Sequence, residues 1–139
     1  MSIADLKART QEIFDTFNTH DAAATAALFE EDAEVRDVAV ARPAVGRAQI
    51  ARLYERHFMA IPDASVRVER LVAEGDTVVA EWMSCGTHGG RLMGIPPTGK
   101  ALCVRGVSIL RYRRGKVVSD TRVWDVAGLL RQIGLLPEN

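Results

Sequence analysis

The chain has 139 residues, with 18 basic and 18 acidic side chains and a formal net charge of zero. That balance argues against a dedicated nucleic-acid or membrane-surface binder, which needs a basic face. The length gives one domain, residues 1–139, large enough to bury a core without disulfides or metal. Met1 to Leu6 lacks the charged-then-apolar layout of a signal peptide, and no apolar run could span a bilayer. A soluble cytoplasmic protein is the expectation, with no nucleic-acid or membrane partner.

Helical signals open the chain. Ser2 and Asp5 form a capping-box pattern, followed by Ile3, Leu6, Thr10, Ile13, Phe14 and Phe17 at steps of three and four. Asp21 can cap a second, Ala-rich helix that ends near Leu28-Phe29. Ala33 to Val38 could be a strand, and Ala41 to Gly46 is loop-like. A third helix is predicted from Arg47 to Ala60, with Ile50, Leu53, Tyr54, Phe58 and Ile61 on one stripe and Pro62-Asp63 at its end.

From Ala64 the period changes to two. Val66, Val68 and Leu71-Val72 read as a strand, Glu74-Gly75-Asp76 as a turn, and Val78 to Cys85 as the next strand. Leu102 to Tyr112 and Val117 to Asp125 are two more, joined by a tight turn at Arg113 to Lys116. The basic cluster of Arg111, Arg113, Arg114 and Lys116 therefore reads as a solvated hairpin tip. A short helix, Val126 to Ile133, stops at Gly134, with Pro137 shortly after.

Helices followed by consecutive strands imply an α+β domain, with helices packed on one face of a curved antiparallel sheet. The concavity of such a sheet is a natural small-molecule pocket. Between the second and third strands lies Gly86 to Lys100, crowded with Gly, Pro, Thr and His. A connection that long in a compact domain is an ordered rim, a lid or an interface. If the flanking strands pair antiparallel about Gly94, Cys85 and Cys103 face each other. A disulfide is then geometrically conceivable, but free buried thiols are expected in a reducing compartment. In the same register Gly106 lies across from Trp82 and leaves room for its indole.

Several motifs in the same order along the chain carry a resemblance. They include Ile61-Pro62-Asp63, Gly86-Thr87-His88, Gly94-Ile95-Pro96-Pro97-Thr98-Gly99-Lys100 and Trp124-Asp125…Gly128-Leu129-Leu130…Gln132-Ile133-Gly134. Together they resemble the SnoaL-like polyketide and ester cyclase family of the nuclear-transport-factor-2-like (NTF2-like) superfamily. The resemblance implies a cone-shaped α+β barrel, a central apolar pocket, and a homodimer packed through the outer sheet face. It implies a ring closure on a small hydrophobic or polyketide-like ester by intramolecular aldol chemistry, with no metal or organic cofactor.

The resemblance makes Asp125 the acid/base aspartate, since a carboxyl in an apolar pocket has a raised pKa and can exchange protons near neutrality. By alternation Asp125 shares a face with Thr121 and Val123, which suits a pocket wall. The other reading is that Asp125 caps the following helix, and the two are not exclusive. Asp37 could reach the pocket as a second titrating group, or lie on the surface beside Arg36. The family's partner histidine has no counterpart on Ala101 to Tyr112, whose polar members Arg105 and Arg111 could polarise a carbonyl or face solvent. His88 could titrate, but a strut fixing the loop backbone is the favoured reading. His57 is expected to be a satisfied core histidine and His20 to be exposed. Glu81 points into a pocket or onto an interface. Phe14, Phe17, Phe58, Trp82 and Met93 are candidate pocket walls.

The leading reading is a cofactor-independent cyclase, isomerase or related lyase. One alternative is an epoxide hydrolase or dehydratase using Asp125, Asp37 and Arg111 around a water. The other is a non-catalytic ligand-binding or dimerisation module.

Overall fold

In the computed structural model, which describes residues 1–138, Ser2 opens α1 (Ile3–Phe17) with the reciprocal capping box that Ser2 and Asp5 predict. Asp21 caps α2 (Ala22–Ala26) by accepting from the Ala24 N–H at 2.9 Å. This helix ends earlier than expected because Phe29 already begins a strand, β1 (Phe29–Asp37). The two-residue β2 (Ala44–Val45) then leads into α3 (Arg47–Ala60). Four long strands follow: β3 (Ser65–Glu74), β4 (Thr77–Thr87), β5 (Ala101–Arg113) and β6 (Lys116–Trp124). The chain closes with α4 (Val126–Gln132), and Gly134 takes the left-handed conformation (φ +86°) that a helix stop favours.

The six strands form one curved sheet in the order β2-β1-β6-β5-β4-β3. The antiparallel sheet expected from the sequence is corrected at one place: β1 and β6 run parallel. Most of the chain separates these two strands, so no hairpin constrains their direction. On β4 and β5 the side chains of Val78, Ala80, Trp82, Ser108 and Leu110 turn inward onto α1 and α3. Thr10 of α1 bridges to the sheet, its hydroxyl 2.6 Å from the Tyr112 hydroxyl. Phe29 is fully buried in this core, and its truncation to Ala would cost about 3–5 kcal/mol.

A second apolar cluster, built on Ala60, Ile61, Leu102, Leu129 and Ile133, seats α4 against the start of β5. Gln132 fastens it there. Its side chain accepts from the Cys103 N–H (2.7 Å) and donates to the Cys103 carbonyl (2.8 Å), where β6 no longer covers β5.

Cys85 and Cys103 are directly opposed, as the register predicts, but they are disulfide-bonded and not free thiols. Their Cα atoms are 4.1 Å apart across the β4–β5 pair. The Gly86 to Lys100 segment is an ordered rim. His88 and Lys100 close it by backbone hydrogen bonding, and the Gly89 and Gly90 N–H groups both donate to the Ala60 carbonyl. A Cβ on Gly90 would collide with the Met59 carbonyl oxygen, so the close approach to α3 requires glycine.

Candidate functional site

Along β6 the inward set is Asp120, Arg122 and Trp124, while Thr121 and Val123 face outward, with Val123 47% exposed. This parity decides the fate of Asp125. It is exposed and its Oδ1 accepts from the Gly128 N–H at 2.8 Å, which makes it the N-cap of α4. It borders an open depression of about 330 Å³ on the outer sheet face, with Glu69, Glu81, Arg105 and Val123. The expected apolar pocket wall of Thr121, Val123 and Asp125 is therefore not an interior surface. The cap requirement and the strand's alternation both turn Asp125 outward.

Arg111 is likewise exposed, on the face opposite the buried Leu110 and Tyr112. Glu81 lies on that outer face too and pairs with Arg70 at 3.0 Å. His88 is fully buried inside the rim and away from the interior of the sheet. Its Nδ1 lies 3.0 Å from the Thr98 hydroxyl and accepts from the Thr98 N–H at 3.3 Å, so it acts as a strut. Met93, a candidate pocket wall, is 46% exposed at the loop tip.

Inside the cone the picture is different. Asp37 points inward from the end of β1, while its neighbour Arg36 turns out to pair with Glu34. The Asp37 Oδ1 accepts from the Trp124 indole N–H (2.9 Å) and the Ala39 N–H (2.8 Å). Across the parallel pair Asp37 is the direct neighbour of Arg122. Arg122 donates from Nε to Asp120 Oδ2 (3.0 Å) and from Nη2 to the Tyr54 hydroxyl (2.7 Å). Tyr54 comes from the buried stripe of α3 and also presents its ring 5.2 Å from the guanidinium. Phe17 closes one side of this group, with ring centroids 5.0 Å from Phe58, 5.3 Å from His57 and 6.0 Å from Tyr54. Phe14 packs in the apolar core beside it. The Trp82 indole donates to Ser108 at 2.9 Å, and a Cβ on Gly106 would come within 2.5 Å of that ring. Gly106 thus makes the room that its register implies.

The charges in this interior are strongly perturbed. Burial pushes the Asp120 carboxyl upward; neighbouring Arg122 opposes the rise without cancelling it, and Asp37 adds to it. Burial pulls the Arg122 pKa down, but Tyr54 and Asp120 more than offset this and keep the guanidinium charged. Burial is also the main cause that lowers His57 to about 4, helped by Arg122 and His20. Three buried polar atoms among the described residues lack a hydrogen-bond partner: Asp120 Oδ1 and His57 Nε2 in this interior, and His88 Nε2 in the rim. His57 is therefore not the satisfied core histidine that its stripe suggests. Buried polar atoms are normally paired, so these unpaired atoms are exceptions that set this region apart.

The structure thus brings Asp37, Phe17, Phe58 and Trp82 to the inner side, and leaves Asp125, Arg111 and His88 outside it. Sequence reasoning missed Asp120, Arg122 and Tyr54. The signal for the first two was the alternation that sets Asp120, Arg122 and Trp124 on the face opposite Asp125. Among the described residues no three His, Cys, Asp or Glu side chains converge as a metal site, and no helix is long and apolar enough to cross a membrane.

Comparison with known proteins gives these residues a setting. A family described as SnoaL-like polyketide cyclase matches residues 7–133. The nogalonic acid methyl ester cyclase of Streptomyces nogalater is 37% identical over 73 residues, which is 52% of this chain and 54% of that protein. The match thus spans about half the length of that curated relative. Among solved structures, AclR of Streptomyces galilaeus, described as a candidate hydroxylase, superposes with a TM-score of 0.86 at 30% identity, covering 99% of this chain and 89% of that one. TsrD of Streptomyces laurentii superposes at 0.85 with 24% identity over 98% and 99% of the two chains, and shares the fold.

Proposed function

Because this chain belongs to the SnoaL-like polyketide cyclase family, we propose that it is an enzyme that moves protons on a polyketide-like ketone or ester, with Asp120 as its acid/base. The observation that carries this reading is the buried Asp120 carboxyl with one oxygen engaged by Arg122 and the other unpartnered. A buried carboxyl whose pKa is raised by burial is a better proton carrier than an exposed one.

In a ring closure, Asp120 Oδ1 removes the proton from the carbon next to a carbonyl, leaving an enolate. Arg122 and the Tyr54 O–H are the donors for its oxygen. Tyr54 already accepts from Arg122, which frees its own proton to donate. The enolate carbon attacks a second carbonyl, and the new alkoxide recovers the proton from Asp120. The balance needs no redox partner, and we propose a cofactor-independent reaction.

The test is turnover of nogalonic acid methyl ester by Asp120→Asn and Asp125→Asn. The first should lose at least about 100-fold in kcat; the second should match the parent, since Asn also caps helices. The opposite pattern refutes the assignment. Product-free binding by the native chain would instead support a non-catalytic module.

One observation favours a second reading. Arg122 is flanked by two carboxylates, Asp37 and Asp120, in place of the set Asp125, Asp37 and Arg111 expected from sequence. Asp37 could take a proton from an attacking water while a protonated Asp120 gives one to the departing oxygen, opening an epoxide to a diol. Diol formation from an epoxide substrate distinguishes it.

We also propose a homodimer through the outer sheet face, where Val72, Ile109 and Val123 are 54%, 40% and 47% exposed. Val123→Glu should yield a monomer in sedimentation. A cytoplasmic location belongs to the same proposal, and there the Cys85–Cys103 bond would be open to reduction.

A further inference from the structure

Past Cys85 and Cys103, β4 and β5 pair only Gly86 with Leu102 and Thr87 with Ala101 before the chain leaves the sheet for the rim. From there hydrogen bonds hold it. Thr87 donates from its N–H and its hydroxyl to the two Asp63 carboxylate oxygens (2.7 and 2.8 Å), and the Gly89 and Gly90 N–H groups reach the Ala60 carbonyl (3.0 and 2.9 Å). The chain's two cysteines add one covalent fastening at the base of the rim, and chemistry can undo it. We propose that this disulfide is a redox latch. Oxidised, it clamps the rim onto the end of α3; reduced by a dithiol, it releases the rim while the rest of the fold stays closed.

The position of the bond supports this role. At Cys103, β5 has no β6 beside it, because that pairing begins at Gly106, and the Gln132 side chain of the short α4 stands in for the missing strand. With the disulfide formed, fraying of the strand ends stops at Cys85. Without it the last three residue pairs can separate, and opening then reaches Thr87 and its contacts with Asp63. Such an opening breaks few contacts and leaves the main sheet intact. The clamped end of α3 follows His57 and Phe58, whose rings pack on Phe17. The effect of the latch on the interior site rests on the function proposed above; the latch itself does not.

Access directs the exchange to Cys103, which is exposed where Cys85 is half-buried. A thiolate of the dithiol attacks the Cys103 sulfur, forms a mixed disulfide and expels the Cys85 thiolate. The second thiol of the reductant, once deprotonated, closes a disulfide within the reductant and expels Cys103. Two electrons and two protons pass from the dithiol to the two cysteines. Oxidised glutathione reverses this and leaves as two reduced glutathiones.

The test is amide hydrogen exchange on the native chain before and after dithiothreitol, with thiols counted by alkylation and mass. Dithiothreitol should reduce the folded protein without denaturant, so that both cysteines alkylate, and oxidised glutathione should restore the bond. The Thr87, Gly89 and Gly90 amides should then exchange about tenfold faster or more, with the shallow urea dependence of a local opening. The Val78 and Leu110 amides should keep the steep dependence of global unfolding. Trypsin should cut after Arg91, exposed in the rim, faster in Cys85→Ala/Cys103→Ala than in the oxidised parent.

Equal rim exchange in the two redox states overturns the proposal. So does rim exchange in the reduced chain that follows the steep urea dependence of Leu110, because the bond is then a staple for the whole fold. Reduction that proceeds only in denaturant overturns it as well. Exchange and alkylation are read on the unsubstituted chain, so a variant that fails to fold does not decide the matter. They are also read without turnover, so loss of the Asp120 assignment would leave the latch to stand or fall on its own.

Discussion

His57→Gln should flatten the acid side of the protein's stability profile. In the folded chain burial lowers His57 to about 4, against an ordinary value of 6.5. Below that ordinary value the unfolded chain takes up a proton that the folded chain refuses. The neutral burial of His57 is therefore fully accommodated above pH 6.5, and stability is lost as pH falls from 6.5 toward 4. Over the whole window the loss is about 3 kcal/mol, and between about pH 7 and about pH 4.5 it is roughly 2–3 kcal/mol. Asp120 acts in the opposite sense. Its carboxyl is raised by burial, so its contribution weakens as pH rises above the ordinary 3.8, but it is present in both proteins and cancels in the comparison. Urea unfolding of parent and variant at the two pH values gives the double difference directly. Parallel acid limbs, agreeing within about 0.5 kcal/mol, would refute the reasoning and mean that His57 is solvated or charged in the folded state.

Gly106→Ala should destabilise by about 1–3 kcal/mol in urea unfolding and shift the tryptophan emission, because the new Cβ would stand 2.5 Å from the Trp82 ring and 2.8 Å from the Trp124 Cβ. Unchanged stability and emission would mean that the two indoles have room to move. Asp125→Ala removes the α4 cap and should cost about 1 kcal/mol, seen as a lower Tm, while leaving kcat close to the parent's. Reducing Cys85–Cys103, which are 18 residues apart, should cost about 3 kcal/mol in unfolding experiments with and without a dithiol.

The local grammar of this chain is legible because its signals act over a few residues. Ser2 and Asp5 cap α1 whatever lies beyond them, the spacing of Ile50, Leu53, Tyr54 and Phe58 suits one face of α3, and Gly134 ends α4. Antiparallel pairing about Gly94, the condition set on the sequence, is the register found, and it opposes Cys85 to Cys103 and Gly106 to Trp82. The motif order from Ile61-Pro62-Asp63 to Gln132-Ile133-Gly134 carried the family for the same reason, as it records turns and stops.

What the chain alone left open was which side of each strand is the inside. Alternation separates Asp120, Arg122 and Trp124 from Thr121, Val123 and Asp125, yet it assigns neither set to the core. That choice was made by α3, which lays Tyr54 and His57 against the sheet from about 65 residues away, and by β1, whose parallel pairing brings Asp37 beside Arg122. Burial then set the chemistry. The same residue type is an exposed helix cap at Asp125 and a buried, half-paired carboxyl at Asp120, because a side chain's desolvation depends on everything packed around it.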